Sequence, residues 1–397
     1  MMRDVPEHAR SSGRGVVVTA AIVTMAAGFL LKAPCLEPWD DGRQYNLLCY
    51  SDVAALYSSD DRNRGLDEDR VPYLDGQNEY PVLTGLTMWV AAVPSGSYQT
   101  FVVWNALLLT AAAAATAWAL HAFTGRRAMW FAVAPTLLVY GLVNWDLVAV
   151  ALATAATLAY LRGRDGPAGV LLGLGAAAKL YPALLVIPFA LGRRREGRAG
   201  DARRLAVAAA LTWVAVNLPF ALFGFDRWSE FFRFNSGRGA DWDSLWFIGA
   251  RPFGHVWDTG VLNVLSGVAF VAAAVGLWWA ASRRPGFRPW TFGFPLLVAF
   301  LLTNKVYSPQ YGLWLLPWFA AAVPSLRLFV AFEIADVAVF VTRFQFFAQL
   351  SGEGPGLPFW AFELAVLFRM AVLVACVAAW VRAQSGQPAP APALEAV

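Results

Sequence analysis

An aspartate and two lysines stand where packing alone gives them little reason to be. Asp52 closes the run Cys49-Tyr50-Ser51-Asp52 just after the first apolar stretch. A carboxylate held at a water-facing surface takes protons from hydroxyl groups, which is the work of a general base. The competing description is one solvated acid among many. Lys179 lies inside an apolar stretch, 168–191, that is long enough to enter a bilayer. An ammonium at that depth costs roughly 2.5–3.5 kcal/mol on insertion scales and is usually functional. Its natural partner is an anion such as a lipid phosphate; reaching out to a headgroup, or pairing with Asp146, are the plain alternatives. Lys305, beside Tyr307-Ser308-Pro309-Gln310, is a second candidate for a phosphate. Asp146 opens an apolar run in the turn Asn144-Trp145-Asp146, where a helix cap is the simplest role. Arg238, Asp241, Asp243 and Arg251 share a later loop, with no spacing that singles one out.

These groups need a frame, and the composition says which kind. Of 397 residues, 58% are hydrophobic and only 15% charged, with 18 Trp and 28 Phe. Soluble domains are nearer half apolar and a quarter charged. Long apolar runs recur from Val16 to Val381. The chain therefore reads as an all-α polytopic membrane protein, which excludes a soluble enzyme, a nucleic-acid-binding module and a disordered chain.

Charge placement sets the orientation. Arg3, Arg10 and Arg14 precede the first apolar run, which resembles a signal peptide but is expected to stay as a helix. From Lys32 to Glu79 there are eleven acidic side chains against five basic ones, so the loop 32–98 belongs outside the cell. The run 80–93 is short for a crossing and is expected to lie along the outer interface. Basic clusters flank 168–191 on both sides, and the stretch holds Gly169, Gly173, Gly175, Pro182 and Pro188. Two half-helices that meet near Lys179 and return keep both clusters inside, and broken helices are tolerated where they line a cavity. Crossings are then expected at 15–31, 99–123, 128–143, 147–161, 205–223, 259–281, 290–303, 311–323, 328–350 and 357–381. That makes about ten full transmembrane helices plus the broken pair in one domain, 1–382. A second outer loop falls at 224–258, and 383–397 is expected to be a disordered cytoplasmic tail.

On this topology five polar segments collect on one side, with Trp and Tyr among their charges. Cys35 and Cys49 are disulfide candidates if that side is oxidising, worth roughly 3 kcal/mol for a loop of this size. His8, His121 and His255 have no ligand-like spacing, so no metal site is expected. No phosphate-binding glycine loop occurs, and Gly169-x-x-x-Gly173 reads as a helix-packing pair.

The order of these features resembles the GT-C class of integral-membrane glycosyltransferases, and within it glycosyltransferase family 87. The likeness rests on Ser51-Asp52-Val53 with Tyr57, Glu79-Tyr80-Pro81, Asn144-Trp145-Asp146, Gly173 through Lys179 to Pro182, and Lys305-Val306-Tyr307-Ser308-Pro309-Gln310-Tyr311. It covers roughly residues 15–350. One departure is Tyr80-Pro81-Val82, where many relatives have two prolines. The resemblance implies transfer of a hexose, mannose by analogy, from a polyprenyl-phosphate donor to a lipid or glycan hydroxyl at the outer face of the plasma membrane. It implies inversion, with Asp52 as base, and Lys179 and Lys305 as candidates to hold the donor phosphate; Arg251 of the later loop is a further candidate for that phosphate, from its charge and not from the resemblance. Glu79, Tyr80, Asp146, Tyr307 and Gln310 are the corresponding substrate contacts. No cofactor is expected, since the lipid-linked sugar is a substrate. A transporter or flippase of envelope precursors is the alternative, although such folds usually show internal repeats and none is visible here.

Overall fold

The computed structural model describes residues 7–37, 39, 41–57, 66, 70–352 and 354–386. The expected disordered tail lies outside the described residues beyond 386; its first residue, Ala383, still belongs to the last helix.

Helices follow one another throughout. α1 (Glu7–Lys32) leads to two single-turn helices, α2 (Arg43–Asn46) and α3 (Asp52–Ala55). Next come α4 (Val82–Ala92), α5 (Tyr98–Thr124), the short α6 (Met129–Ala132) and α7 (Pro135–Tyr140), and α8 (Asp146–Leu161). α9 (Asp165–Ala178) and α10 (Tyr181–Arg195) precede α11 (Ala199–Phe223). The second long loop carries α12 (Phe225–Gly237) and α13 (Leu245–Ala250) before α14 (Thr259–Ser282). α15 (Gly293–Thr303), α16 (Gly312–Ala322), α17 (Leu326–Ser351) and α18 (Phe359–Ala383) complete the bundle. No strand occurs among the described residues.

The chain is a multi-pass membrane protein. Five stretches are long and apolar enough to cross by themselves, and they include α1, α5, α11, α14 and α18. Other expected crossings are shorter or interrupted. The run 128–143 is divided between α6 and α7, with Pro135 starting the second piece. α15 and α16 have 11 residues each, Pro309 lying in the turn between them. α17 is long but carries Arg327, Glu333, Asp336 and Arg343.

Local signals account for several boundaries. Ser97 forms a capping box with Thr100 at the start of α5. Asp258 accepts the Val261 N–H at the start of α14. Gly352, at φ 73°, ends α17 in the left-handed conformation that glycine adopts without strain.

The stretch 168–191 is broken as the charge pattern requires. Lys179 has extended backbone between α9 and α10, and Pro182 follows in the first turn of α10. Asp165 at the start of α9 meets Arg193 near the end of α10 at 2.7 Å and Arg198 at 3.1 Å. In one straight helix the Asp165 and Arg193 positions would lie about 40 Å apart. The two halves thus form a hairpin with Lys179 at its tip. Gly169 and Gly173 let α9 approach α11 closely: a Cβ at either would run into the carbonyl of Leu205 or Ala209.

A buried polar network fastens the second long loop to the last two long helices. Arg369 of α18 reaches Asp336 of α17 at 3.2 Å and Asp243 of the loop at 3.4 Å, and all three are fully buried. Arg343 of α17 bonds Asp243 at 2.9 Å. Thr136 of α7 joins by donating its N–H to Glu333 and its hydroxyl to Asp336.

Candidate functional site

The loop that carries Asp52 is fixed from three directions. Cys35 and Cys49 are joined by a disulfide. The buried Lys32 ammonium at the end of α1 donates to the carbonyls of Tyr50 at 2.9 Å and Leu48 at 3.4 Å. Ser51 Oγ donates to the Leu142 carbonyl, and the Asp52 N–H donates to that of Val143 at 2.8 Å. The helix that Asp52 begins is only one turn long, and Val53 within it and Tyr57 just beyond it are buried.

The Asp52 carboxylate is held on both oxygens. Tyr50 Oη donates to Oδ1 at 2.7 Å. Asn144 Nδ2 donates to Oδ2 at 2.7 Å, with Tyr80 Oη at 3.4 Å from the same oxygen. The neighbouring Asp52 charge and burial push the Tyr50 phenol well above its ordinary value. Burial, then the same carboxylate, does so for Tyr80. Both phenols therefore stay protonated and able to donate.

Asn144 owes its position to the turn it begins. Its Oδ1 accepts the Trp145 N–H, and the buried Trp145 indole donates to Asn105 at 2.6 Å. Asp146 is not a helix cap: its oxygens accept the Trp314 indole N–H at 2.6 Å and the Lys179 ammonium at 3.2 Å. The Lys179 ammonium also lies 5.3 Å from the ring centre of Tyr80 and 5.5 Å from that of Tyr311.

A cavity of about 640 Å³ opens between these elements. Of the nine residues given a role from the sequence, Asp52, Glu79, Tyr80, Lys179, Lys305 and Gln310 line it, and Arg238, noted without a role, joins them. Three of the nine do not. Asp146 is fully buried behind Lys179. Tyr307 is buried with the Arg369 guanidinium 3.8 Å from its ring centre, so it belongs to the polar network. Arg251 sits in an exposed turn outside the cavity, paired with Glu363 at 3.3 Å and lying over Phe359. Lys305 lines the hollow but donates to the carbonyls of Ser236 and Arg238, which ties it to the end of α12. Burial, with Arg238 nearby, lowers its pKa.

Reasoning from sequence passed over Arg343 and its neighbours Phe344 and Phe347, all of which line the cavity. A signal was present, because a cation inside an apolar span marks a functional or paired position. Asn144 was overlooked in favour of the charged member of its own turn. Among the described residues no group of three or more His, Cys, Asp or Glu is placed to hold a metal.

The model of glycosyltransferase family 87 matches residues 79–309, more than half of the chain. The chain belongs to glycosyltransferase family 87. The match takes in the Tyr80, Asn144, Lys179 and Lys305 segments of the cavity and begins after Asp52. Among solved structures the chain is similar to the ArnT of Cupriavidus metallidurans, crystallised with undecaprenyl phosphate. The identity is 14% and the TM-score 0.44, over 94% of this chain and 77% of that one. No curated protein matches.

Proposed function

We propose that this glycosyltransferase moves a hexose, with mannose favoured by the family resemblance, from a polyprenyl phosphate to an acceptor hydroxyl at the outer face of the membrane. The observation that carries the reading is the Asp52 carboxylate, gripped by Tyr50 and Asn144, facing the same hollow as the Lys179 ammonium. Asp52 takes the proton of the acceptor hydroxyl as its oxygen attacks the anomeric carbon. The bond from that carbon to the phosphate oxygen breaks, and the phosphate leaves with the electron pair. Lys179, with Lys305 or Arg238 behind it, meets the charge that develops there. In this reading no metal takes part. A single displacement inverts the carbon, so a β-linked donor gives an α-linked product. The acid-rich first loop supports an outward-facing site.

The direct test supplies membranes with radiolabelled polyprenyl-phosphate sugars and extracted envelope lipids and identifies the product. Appearance of a glycosylated product that depends on this chain and on Asp52 supports the reading; counterflow of label without new linkages favours a transporter instead.

Two variants test the supporting groups. Tyr50→Phe removes one donor from the carboxylate and is expected to lower kcat about ten-fold, in line with a hydrogen bond to a charged group. Stopped-time assays at saturating donor measure it. Lys179→Met is expected to lower kcat/KM for donor by roughly 10- to 100-fold and to destabilise the protein, because it leaves Asp146 buried without its cation. Adding Asp146→Asn is expected to restore the melting temperature and not the donor dependence, which separates the two roles of Lys179.

A further inference from the structure

Among the described residues two that are not glycine have left-handed backbone, Leu48 at φ 57° and Tyr73 at φ 69°. Bulky side chains rarely accept this conformation, and it persists where the surroundings enforce it, above all at functional sites. Each of the two stands behind a phenol that meets Asp52. Leu48 precedes Tyr50 by two residues and gives its carbonyl to Lys32. Tyr73 sits in a tight turn that ends shortly before Tyr80. In that turn the Val71 carbonyl accepts the N–H groups of Leu74, Asp75 and Gly76, and the Gly76 carbonyl accepts the Tyr73 N–H at 2.9 Å.

From this turn the Tyr73 side chain runs inward and is fully buried. Its hydroxyl donates to the carbonyls of Tyr80 at 2.8 Å and Pro81 at 2.9 Å, one proton shared between two acceptors. The fit is close: a Cβ at Gly85 would run into the hydroxyl, and one at Gly224 into the Tyr73 carbonyl. Tyr80 is the side chain that this anchor serves. Its hydroxyl accepts the Asn144 amide at 2.9 Å and stands 3.4 Å from Asp52 Oδ2. Its ring meets Trp145 edge-on and lies 5.3 Å from the Lys179 ammonium. The carboxylate and the ammonium thus share one neighbour. We infer that Tyr73, which is buried outside the cavity, is a positioning residue for the reaction: it holds the Tyr80–Pro81 backbone and so fixes the Tyr80 phenol against both Asp52 and Lys179. The inference rests on the reading of Asp52 as base. Glycine or asparagine would complete the turn with less strain, and phenylalanine would fill the same space. Only the hydroxyl and its two carbonyls account for a tyrosine there.

The test uses the full chain in nanodiscs with polyprenyl-phosphate mannose and extracted envelope lipids, and reads kcat, KM for donor and melting temperature. Tyr73→Phe is expected to lower kcat about ten-fold, since small displacements of a reacting group are costly. KM for donor is expected to stay near wild type, because Asp146 still holds Lys179. In a Tyr80→Phe background the same substitution is expected to lower kcat no further. A side chain that merely fills the core would shift the melting temperature and leave kcat per folded molecule alone. Gly85→Ala, which crowds the Tyr73 hydroxyl, is expected to reproduce the loss of kcat. A ring-fluorinated tyrosine at position 80 gives a readout without turnover, and its fluorine resonance is expected to move in both variants. An unchanged kcat in both, an unmoved resonance, or a loss that is equal with and without the Tyr80 hydroxyl overturns the positioning role. The base assignment fails separately, if Asp52→Asn transfers sugar as fast as wild type while the resonance still answers to Tyr73.

Discussion

Asp52→Asn is expected to lower kcat by about 10³-fold, within the range for loss of a general base, while the protein still inserts and melts close to wild type. The substitution keeps the shape of the side chain and one oxygen to accept the 2.7 Å bond from Tyr50. It removes the group that accepts a proton, and it sets an amide against the Asn144 amide that now donates to the carboxylate. Asp52→Glu makes a sharper control. It retains the acid but displaces it by about one carbon–carbon bond, and misplacement on that scale costs around 10²-fold. The loop around Asp52 is tied by the disulfide, by Lys32 and by two bonds to residues 142 and 143, so it has little freedom to compensate. Initial rates with a radiolabelled donor measure both variants. Full activity in Asp52→Asn would remove the basis of the proposed mechanism.

The second large effect concerns stability. Arg369→Leu is expected to destabilise the fold by about 3–5 kcal/mol, the usual consequence of stripping one partner from a buried ion network. Asp243 and Asp336 both lose a charged neighbour in a place without solvent, though Arg343 still reaches Asp243. Arg369→Lys is expected to recover only part of the loss, because one ammonium does not reproduce a planar fork that serves two carboxylates. Neutralising the acids as well, with Asp243→Asn and Asp336→Asn, is expected to raise the melting temperature again in the Arg369→Leu background. Thermal unfolding of detergent-purified protein follows the series. If Arg369→Leu melts with wild type, the network does not hold the second loop to α17 and α18.

Charge asymmetry made much of this arrangement legible without coordinates. Basic clusters on both flanks of 168–191 demanded a return, and the Asp165–Arg193 pair shows the two ends side by side. Asp52, Lys179 and Lys305 stood out because ionised groups in or beside apolar segments carry a cost, and all three face the cavity. Partner choice was the part that stayed hidden. Whether Asp146 caps its own helix or meets Lys179 depends on where a segment 33 residues away folds back. Tyr307 as a substrate contact and Arg251 as a phosphate ligand also depended on partners distant in sequence; the first is covered by Arg369 and the second pairs with Glu363 of α18. Arg343 was lost among the apolar residues of its span, since a cation in a long helix says nothing about which loop will neutralise it.

The size of the hollow bears on the lipid as well as on the sugars. About 640 Å³ is the scale of a pocket for a drug-sized ligand and does not enclose a chain of many isoprene units. In the proposed reaction most of such a chain stays in the surrounding hydrocarbon, beyond the side chains that line the cavity. Carriers that share a headgroup and differ only at the far end of the tail should therefore compete as equals, and the bilayer rather than the polypeptide would set which of them is used.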